Sequence, residues 1–154
     1  MTIGFIGLGN MASAMIGGIL GSGLASPDSI IGNSRTNATM EKMQKQYGIT
    51  ISHSAAETAE AADIIVLAVK PQVLPEVLKS IRGCIGENSV LLSIAAGKSM
   101  EWIASFFEEK VGIVRCMPNT PALVGMGCTG VCRNENVSDD MFYKCLASME
   151  LGLL

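Results

Sequence analysis

Apolar positions along the chain follow two periods that take turns. Short runs of β-favouring residues at 2–6, 29–33, 49–51, 63–69, 89–93 and 112–116 each predict a strand. Between them the spacing becomes helical. Residues 12–20 read as a helix rich in small side chains, closed by Gly21 and Gly23, and Pro27-Asp28 turns the chain back. Met40, Met43 and Tyr47 share one helical face, as do Val73, Leu74, Val77, Leu78 and Ile81. Residues 54–61 carry the capping-box pattern, Ser54 followed by Glu57. Ser99 is placed to cap a helix bearing Trp102, Ile103, Phe106 and Phe107. After residue 116 the rhythm breaks. Residues 117–121 predict a rigid, proline-bounded loop and 127–132 one further strand. A last helix is capped by Ser138 and presents Phe142, Leu146 and Met149 on one side.

This alternation predicts an α/β fold, a doubly wound, mostly parallel sheet of the Rossmann type. The unbroken apolar run at 63–69 suits a central strand covered on both faces. Right-handed crossovers then put every strand's C-terminal end on one rim, where such folds bind ligands.

Composition narrows the picture. With 154 residues, 49% hydrophobic and 16% charged, the chain predicts a single folded domain with a substantial core. A net charge of −3 gives no basic face for nucleic acid. No run approaches the ~18 apolar residues of a membrane span, and no basic segment precedes the first apolar run, so neither membrane nor signal peptide is expected. The five cysteines, Cys84, Cys116, Cys128, Cys132 and Cys145, predict free thiols of a cytoplasmic protein. Cys128 and Cys132 have no second pair and the one histidine, His53, is remote, so no metal site is expected.

The predicted strand ends carry the chemistry. Gly7, Gly9 and Ala12 follow the G-x-G-x-x-G/A spacing of a dinucleotide fingerprint. Gly7 permits a sharp turn, Gly9 admits a pyrophosphate against the backbone, and Ala12 lets the helix approach the sheet. The amides of Gly9, Asn10 and Met11 would point at the phosphates. After the second strand, where an NAD site offers a carboxylate, the chain has Asn33, Ser34, Arg35 and Thr36. A guanidinium and two hydroxyls suit a 2′-phosphate, which favours NADP over NAD, unless Arg35 is merely a solvated loop residue.

The segments Gly-Phe-Ile-Gly-Leu-Gly-Asn-Met-Ala (4–12), Asn-Ser-Arg-Thr (33–36), Leu-Ala-Val-Lys-Pro-Gln (67–72), Ser-Ile-Ala-Ala-Gly (93–97) and Arg-Cys-Met-Pro-Asn-Thr-Pro-Ala (115–122) occur in this order. In them the chain resembles the Δ1-pyrroline-5-carboxylate reductases from end to end. The resemblance implies an enzyme of proline biosynthesis that reduces a small cyclic imine with hydride from NADPH. It implies that Ile6, Gly7, Leu8, Gly9, Asn10 and Met11 hold the pyrophosphate. Ser34 and Arg35, flanked by Asn33 and Thr36, would meet the 2′-phosphate, and Ser54 would border the adenine. Ala68, Val69, Lys70 and Pro71, with Ile94, Ala95 and Ala96, would line the ribose and nicotinamide, and Cys116, Met117 and Asn119 would floor the pocket. Read from the residues alone, Lys70 is a proton donor, an anion contact or a solvated lysine. Asn119 either bonds the nicotinamide amide or caps its turn.

That family continues into an all-helical domain carrying a Ser-Gly-Ser-Gly-Pro signature, the substrate contacts and the dimer interface. The chain lacks this signature, so the resemblance implies a cofactor-binding half whose proton donor and homo-oligomer contacts lie elsewhere. It also predicts that Phe142, Leu146, Leu151, Leu153 and Leu154 are exposed and promote self-association. Two alternatives share the fingerprint. One is a β-hydroxyacid dehydrogenase domain, although position 12 is usually glycine there and the 117–121 segment is unexpected. The other is a non-catalytic NADP-binding regulatory module.

Overall fold

The computed structural model describes residues 1–118 and 128–153, with side chains at 1–116 and 130–149. Its elements run β1 (Ile3–Ile6), α1 (Asn10–Ser22), a 3₁₀ turn (Pro27–Ser29), β2 (Ile30–Asn33), α2 (Asn37–Tyr47), β3 (Thr50–Ile51), α3 (Ala55–Ala61) and β4 (Ile64–Leu67). Then come α4 (Leu74–Ser80), β5 (Val90–Ser93), α5 (Met100–Ala104), β6 (Gly112–Pro118), β7 (Cys128–Arg133) and α6 (Asp139–Leu153). The strands form one sheet in the order β3-β2-β1-β4-β5-β6-β7. Neighbours from β3 to β6 are parallel, and β7 returns antiparallel beside β6. This is the doubly wound α/β sheet that the alternating periods predict.

The period of two explains how the sheet is buried on both faces. Along β4, Ile64 and Val66 pack into a core with Met15, Ile16 and Ile19 of α1 and Cys145 and Met149 of α6. Ile65 and Leu67 point the other way, into a core with Leu74 and Leu78 of α4 and Ile103 of α5. All four β4 side chains are fully buried. Helix α1 runs longer than its predicted 12–20, because Gly21 stays helical. Gly23, left-handed at φ 78°, closes the helix, its N–H donating to the carbonyls of Ile19 and Leu20. Predicted caps form at Ser54 and Ser99, whose hydroxyls accept from the Glu57 and Trp102 amides at 3.1 Å.

Two expectations are corrected. Phe142 and Leu146 are not an exposed patch: both are half-buried against the core that α6 shares with α1, and the Arg133 guanidinium lies 4.6 Å from the Phe142 ring centroid. The side chains of Leu151, Leu153 and Leu154 lie outside the described residues. Cys84, Cys132 and Cys145 are free thiols, but Cys116 is disulfide-bonded. The antiparallel return of β7 beside β6 sets cysteine-bearing strands side by side, a proximity that spacing along the chain did not reveal. Among the described residues no helix is long and apolar enough to cross a membrane.

Burial of Cys145 between α6 and the sheet makes a prediction. Desolvation pushes its thiol from 9.0 up to about 12. The folded chain therefore keeps a proton that the unfolded chain releases above pH 9.0. Its contribution to stability is complete below that pH and declines as pH rises toward about 12, by up to ~1.4 kcal/mol per pH unit. Urea unfolding at stepped alkaline pH will show a shallower decline for Cys145→Ala than for the parent.

Candidate functional site

Parallel pairing puts the strand ends level. Ile6 of β1 pairs with Asn33 of β2 and Leu67 of β4, Leu67 with Ser93 of β5, and Ser93 with Arg115 of β6. The next residues, Gly7, Ser34, Ala68 and Ile94, therefore leave the sheet along one rim, while β6 runs on through Cys116 to Pro118. Strand order reverses between β1 and β4, because β2 lies on one side of β1 and β4 on the other. The loops after these strands diverge there, and a crevice opens at the switch point.

The crevice is a cleft of about 360 Å³. Its lining brings together Ile6, Gly7, Leu8, Gly9, Asn33, Ser34, Arg35, Ala68, Val69 and Lys70 from the predicted set. Asn10 lines an adjoining depression. Other predicted residues stand apart from the lining. The Ser54 hydroxyl is engaged in capping α3, and its neighbour Ala55 lines the cleft instead. Thr36 precedes α2 and donates its hydroxyl to Thr39 at 2.7 Å. Met11 is half-buried against the core, and Pro71 lies in the turn that leads into α4. Ile94, Ala95 and Ala96 follow β5 farther along the rim, and Cys116 is fully buried in β6. The Met117 side chain and Asn119 lie outside the described residues.

Val73 and Val77 line the cleft although their spacing suggested a uniform core face. Their stripe is divided. Leu74, Leu78 and Ile81 are fully buried, whereas Val73 and Val77 are half-buried at its edge. A stripe wider than one contact surface was the available signal.

Gly7 and Gly9 serve different ends. Gly7 has φ +99°, and a Cβ there would lie 2.7 Å from the Ala68 carbonyl oxygen. Its N–H donates to the Asn33 carbonyl at 2.9 Å, so the turn ties β1 to both neighbours. Gly9 has ordinary extended dihedrals, φ −79° and ψ −164°, as the N-cap of α1. A Cβ on it would meet nothing within 4 Å among the described residues. The fold gives no reason for glycine at position 9, so a side chain there would fill only the space above the backbone. No side chain caps α1 and no acid occupies its first turn. Its leading amides and the positive end of its dipole thus face the crevice. These features fit a dinucleotide's pyrophosphate.

Arg35 and Lys70 supply positive charge to the lining, which contains no carboxylate among the described residues. The Arg35 guanidinium is paired with Glu76 of α4 at 3.0 Å, with 67% and 78% of the side chains exposed. Such an exposed pair is worth under about 1 kcal/mol and exchanges readily for a better anion. The Asn33 amide donates to the Ser52 carbonyl at 3.1 Å, which bolts β2 to the segment before α3. A larger depression of about 520 Å³ lies where β4 and β5 begin. Asp63, Glu87 and Asp140 outnumber Lys144 among its charged side chains, which suits a phosphate poorly.

Residues 2–97 match the family described as NADP oxidoreductase, coenzyme F420-dependent. The chain is 37% identical over 155 residues to pyrroline-5-carboxylate reductase of Escherichia coli, covering 97% of this chain and 58% of that protein. The solved pyrroline-5-carboxylate reductase of Coxiella burnetii superposes with a TM-score of 0.91 at 30% identity, over 99% of this chain and 57% of that one. The Plasmodium falciparum pyrroline carboxylate reductase, solved with NADP bound, gives 0.80 at 30% identity, over 99% and 55%. The chain thus spans about half the length of the relatives it matches.

The two glycines predict opposite outcomes for one substitution. Gly7→Ala combines a left-handed φ with backbone overlap and will cost about 2–4 kcal/mol of stability. Gly9→Ala will leave the unfolding midpoint within about 0.5 kcal/mol of the parent. Thermal and urea unfolding of both variants check this.

Proposed function

The chain belongs to the NADP oxidoreductase, coenzyme F420-dependent family, and from that premise we propose that it forms the cofactor site of a pyrroline-5-carboxylate reductase that reduces L-1-pyrroline-5-carboxylate to L-proline with NADPH. The observation that supports this most is Gly9: a glycine that its own fold does not require, at the bare head of α1, in the crevice where strand order reverses. The likeness to named reductases over nearly the whole chain supplies the choice of reaction.

A bound NADPH supplies the hydride. The chain's own residues bind and orient. The amides at the start of α1 and the open backbone of Gly9 would hold the pyrophosphate. Ala55, Val73 and Val77 would give the adenine an apolar wall. Ala68, Val69, Lys70 and Pro71 would fix the ribose side, and Ile94 to Ala96, with Cys116, Met117 and Asn119, the nicotinamide end. Ammonium and guanidinium groups without an acid in the lining favour the phosphorylated dinucleotide, hence NADPH over NADH. Catalysis then rests on keeping the ring against the imine carbon and excluding water. The imine, its contacts and the proton donor belong to the helical part that the family likeness implies, as does homo-oligomer formation.

Titration of NADPH followed by its fluorescence will show saturable binding to the parent chain and none to Gly9→Val, with the fold of the variant retained. In protein carrying the helical domain, loss of NADPH absorbance with L-1-pyrroline-5-carboxylate will report turnover. Oxidation of a 3-hydroxy acid instead would assign a β-hydroxyacid dehydrogenase. Nucleotide binding with no turnover of either substrate would assign a regulatory module.

A further inference from the structure

We infer that Gly32 of β2 and Leu8 of the turn between β1 and α1 are a size-matched pair that holds Leu8 out of the crevice. Gly32 is then a positioning residue for the dinucleotide, an inference that rests on the dinucleotide reading above. Gly32 lines neither the cleft nor the adjoining depression. It lies inside the sheet, in register with Phe5 of β1 and Ile51 of β3. It has no left-handed φ, and glycine weakens a strand interior. Its own backbone therefore gives no reason for glycine. The reason is Leu8: a Cβ on Gly32 would lie 2.9 Å from Leu8 Cδ2 and 3.3 Å from Leu8 Cδ1. Leu8 fills the side-chain space of position 32.

Leu8 stands between Gly7 and Gly9 and is 4% exposed. Behind it is the core that it shares with Ile49 and Met43. In front lie the cleft and the depression, both of which it borders. The turn beside it has little slack, because Gly7 is bonded to the Asn33 carbonyl at 2.9 Å and packed on the Ala68 backbone. A methyl added at position 32 would meet the far end of a flexible side chain, so the sheet keeps its register and Leu8 gives way. The direction open to Leu8 is toward the crevice, where the amides that open α1 would meet the pyrophosphate. Gly9 leaves that floor without a side chain of its own, and Gly32 leaves it free of Leu8.

Calorimetric titration of NADPH and NADH into Gly32→Ala, Leu8→Ala and the double variant, beside urea unfolding of each, tests this. Gly32→Ala will weaken both nucleotides about ten-fold, because the turn serves the part that they share. It will remain folded, with an unfolding midpoint closer to the parent's than that of Leu8→Ala, which empties a buried site. In the Leu8→Ala background the same Gly32→Ala change will cost less than about two-fold in affinity, since the new methyl enters space that the isobutyl group has left. Parent-like binding by Gly32→Ala, an equal loss from Gly32→Ala with and without Leu8, or Gly32→Ala protein that is unfolded under the assay conditions would overturn the assignment. If the parent binds neither nucleotide, the dinucleotide reading itself fails and this inference falls with it.

Discussion

The reversal of strand order at β1 is the constraint on which the site depends. β1 is hydrogen-bonded to β2 on one side and β4 on the other, and all three strands end at the same level. Ile6, Asn33 and Leu67 form one row, so the next residues must diverge. Gly7 makes that divergence possible. Its left-handed turn passes within contact distance of the Ala68 backbone while its amide bonds Asn33. A side chain there would push β1 away from β4 and open the row. The crevice is therefore a property of the sheet's connectivity and register, and its chemistry is whatever the loops place on that row.

Much of this was legible because a parallel sheet writes two signals into the chain at once. Strand runs such as 63–69 show that both faces are covered, and the polar or glycine residues that end each run mark the rim. Ser34, Arg35 and Lys70 could be placed near one another without knowing the register. The hidden parts depended on distances between elements. Val73 and Val77 share the period of buried Leu74 and Leu78, and only the edge of the α4 contact separates them. Ser54 and its neighbour Ala55 differ for a similar reason, since the Ser54 hydroxyl caps α3 while Ala55 lines the cleft. Phe142 and Leu146 looked exposed because the family likeness puts a helical partner beside the last helix, yet both pack, half-buried, against the core that α6 shares with α1. The bond at Cys116 was hidden because spacing along the chain does not show which strands lie side by side, and β7 returns beside β6.

Electrostatics divides the molecule between its two ends. Where β4 and β5 begin, Asp63, Glu87 and Asp140 gather, and Lys144 is paired with Asp140 at 3.0 Å. Where strands end, Arg35 and Lys70 line the cleft, with Glu76 paired to Arg35 beside it. An overall charge of −3 conceals this polarity, because the sum says nothing of the side on which each charge sits. The larger depression at the acidic end is therefore the poorer site.

The contrast between Gly7 and Gly9 carries the functional argument furthest. A glycine can be demanded by backbone conformation, by close packing or by a ligand, and the first two can be checked within the chain. Gly7 meets the conformational demand through its φ and the packing demand through Ala68. Gly9 meets neither, since its dihedrals suit any residue and its missing Cβ would touch nothing. What remains is a demand from outside the chain, at a point where uncapped amides and a helix dipole favour an anion. The fingerprint spacing is thus two unrelated requirements placed two residues apart. One builds the crevice, and the other, in the function proposed above, would keep its floor bare for a phosphate.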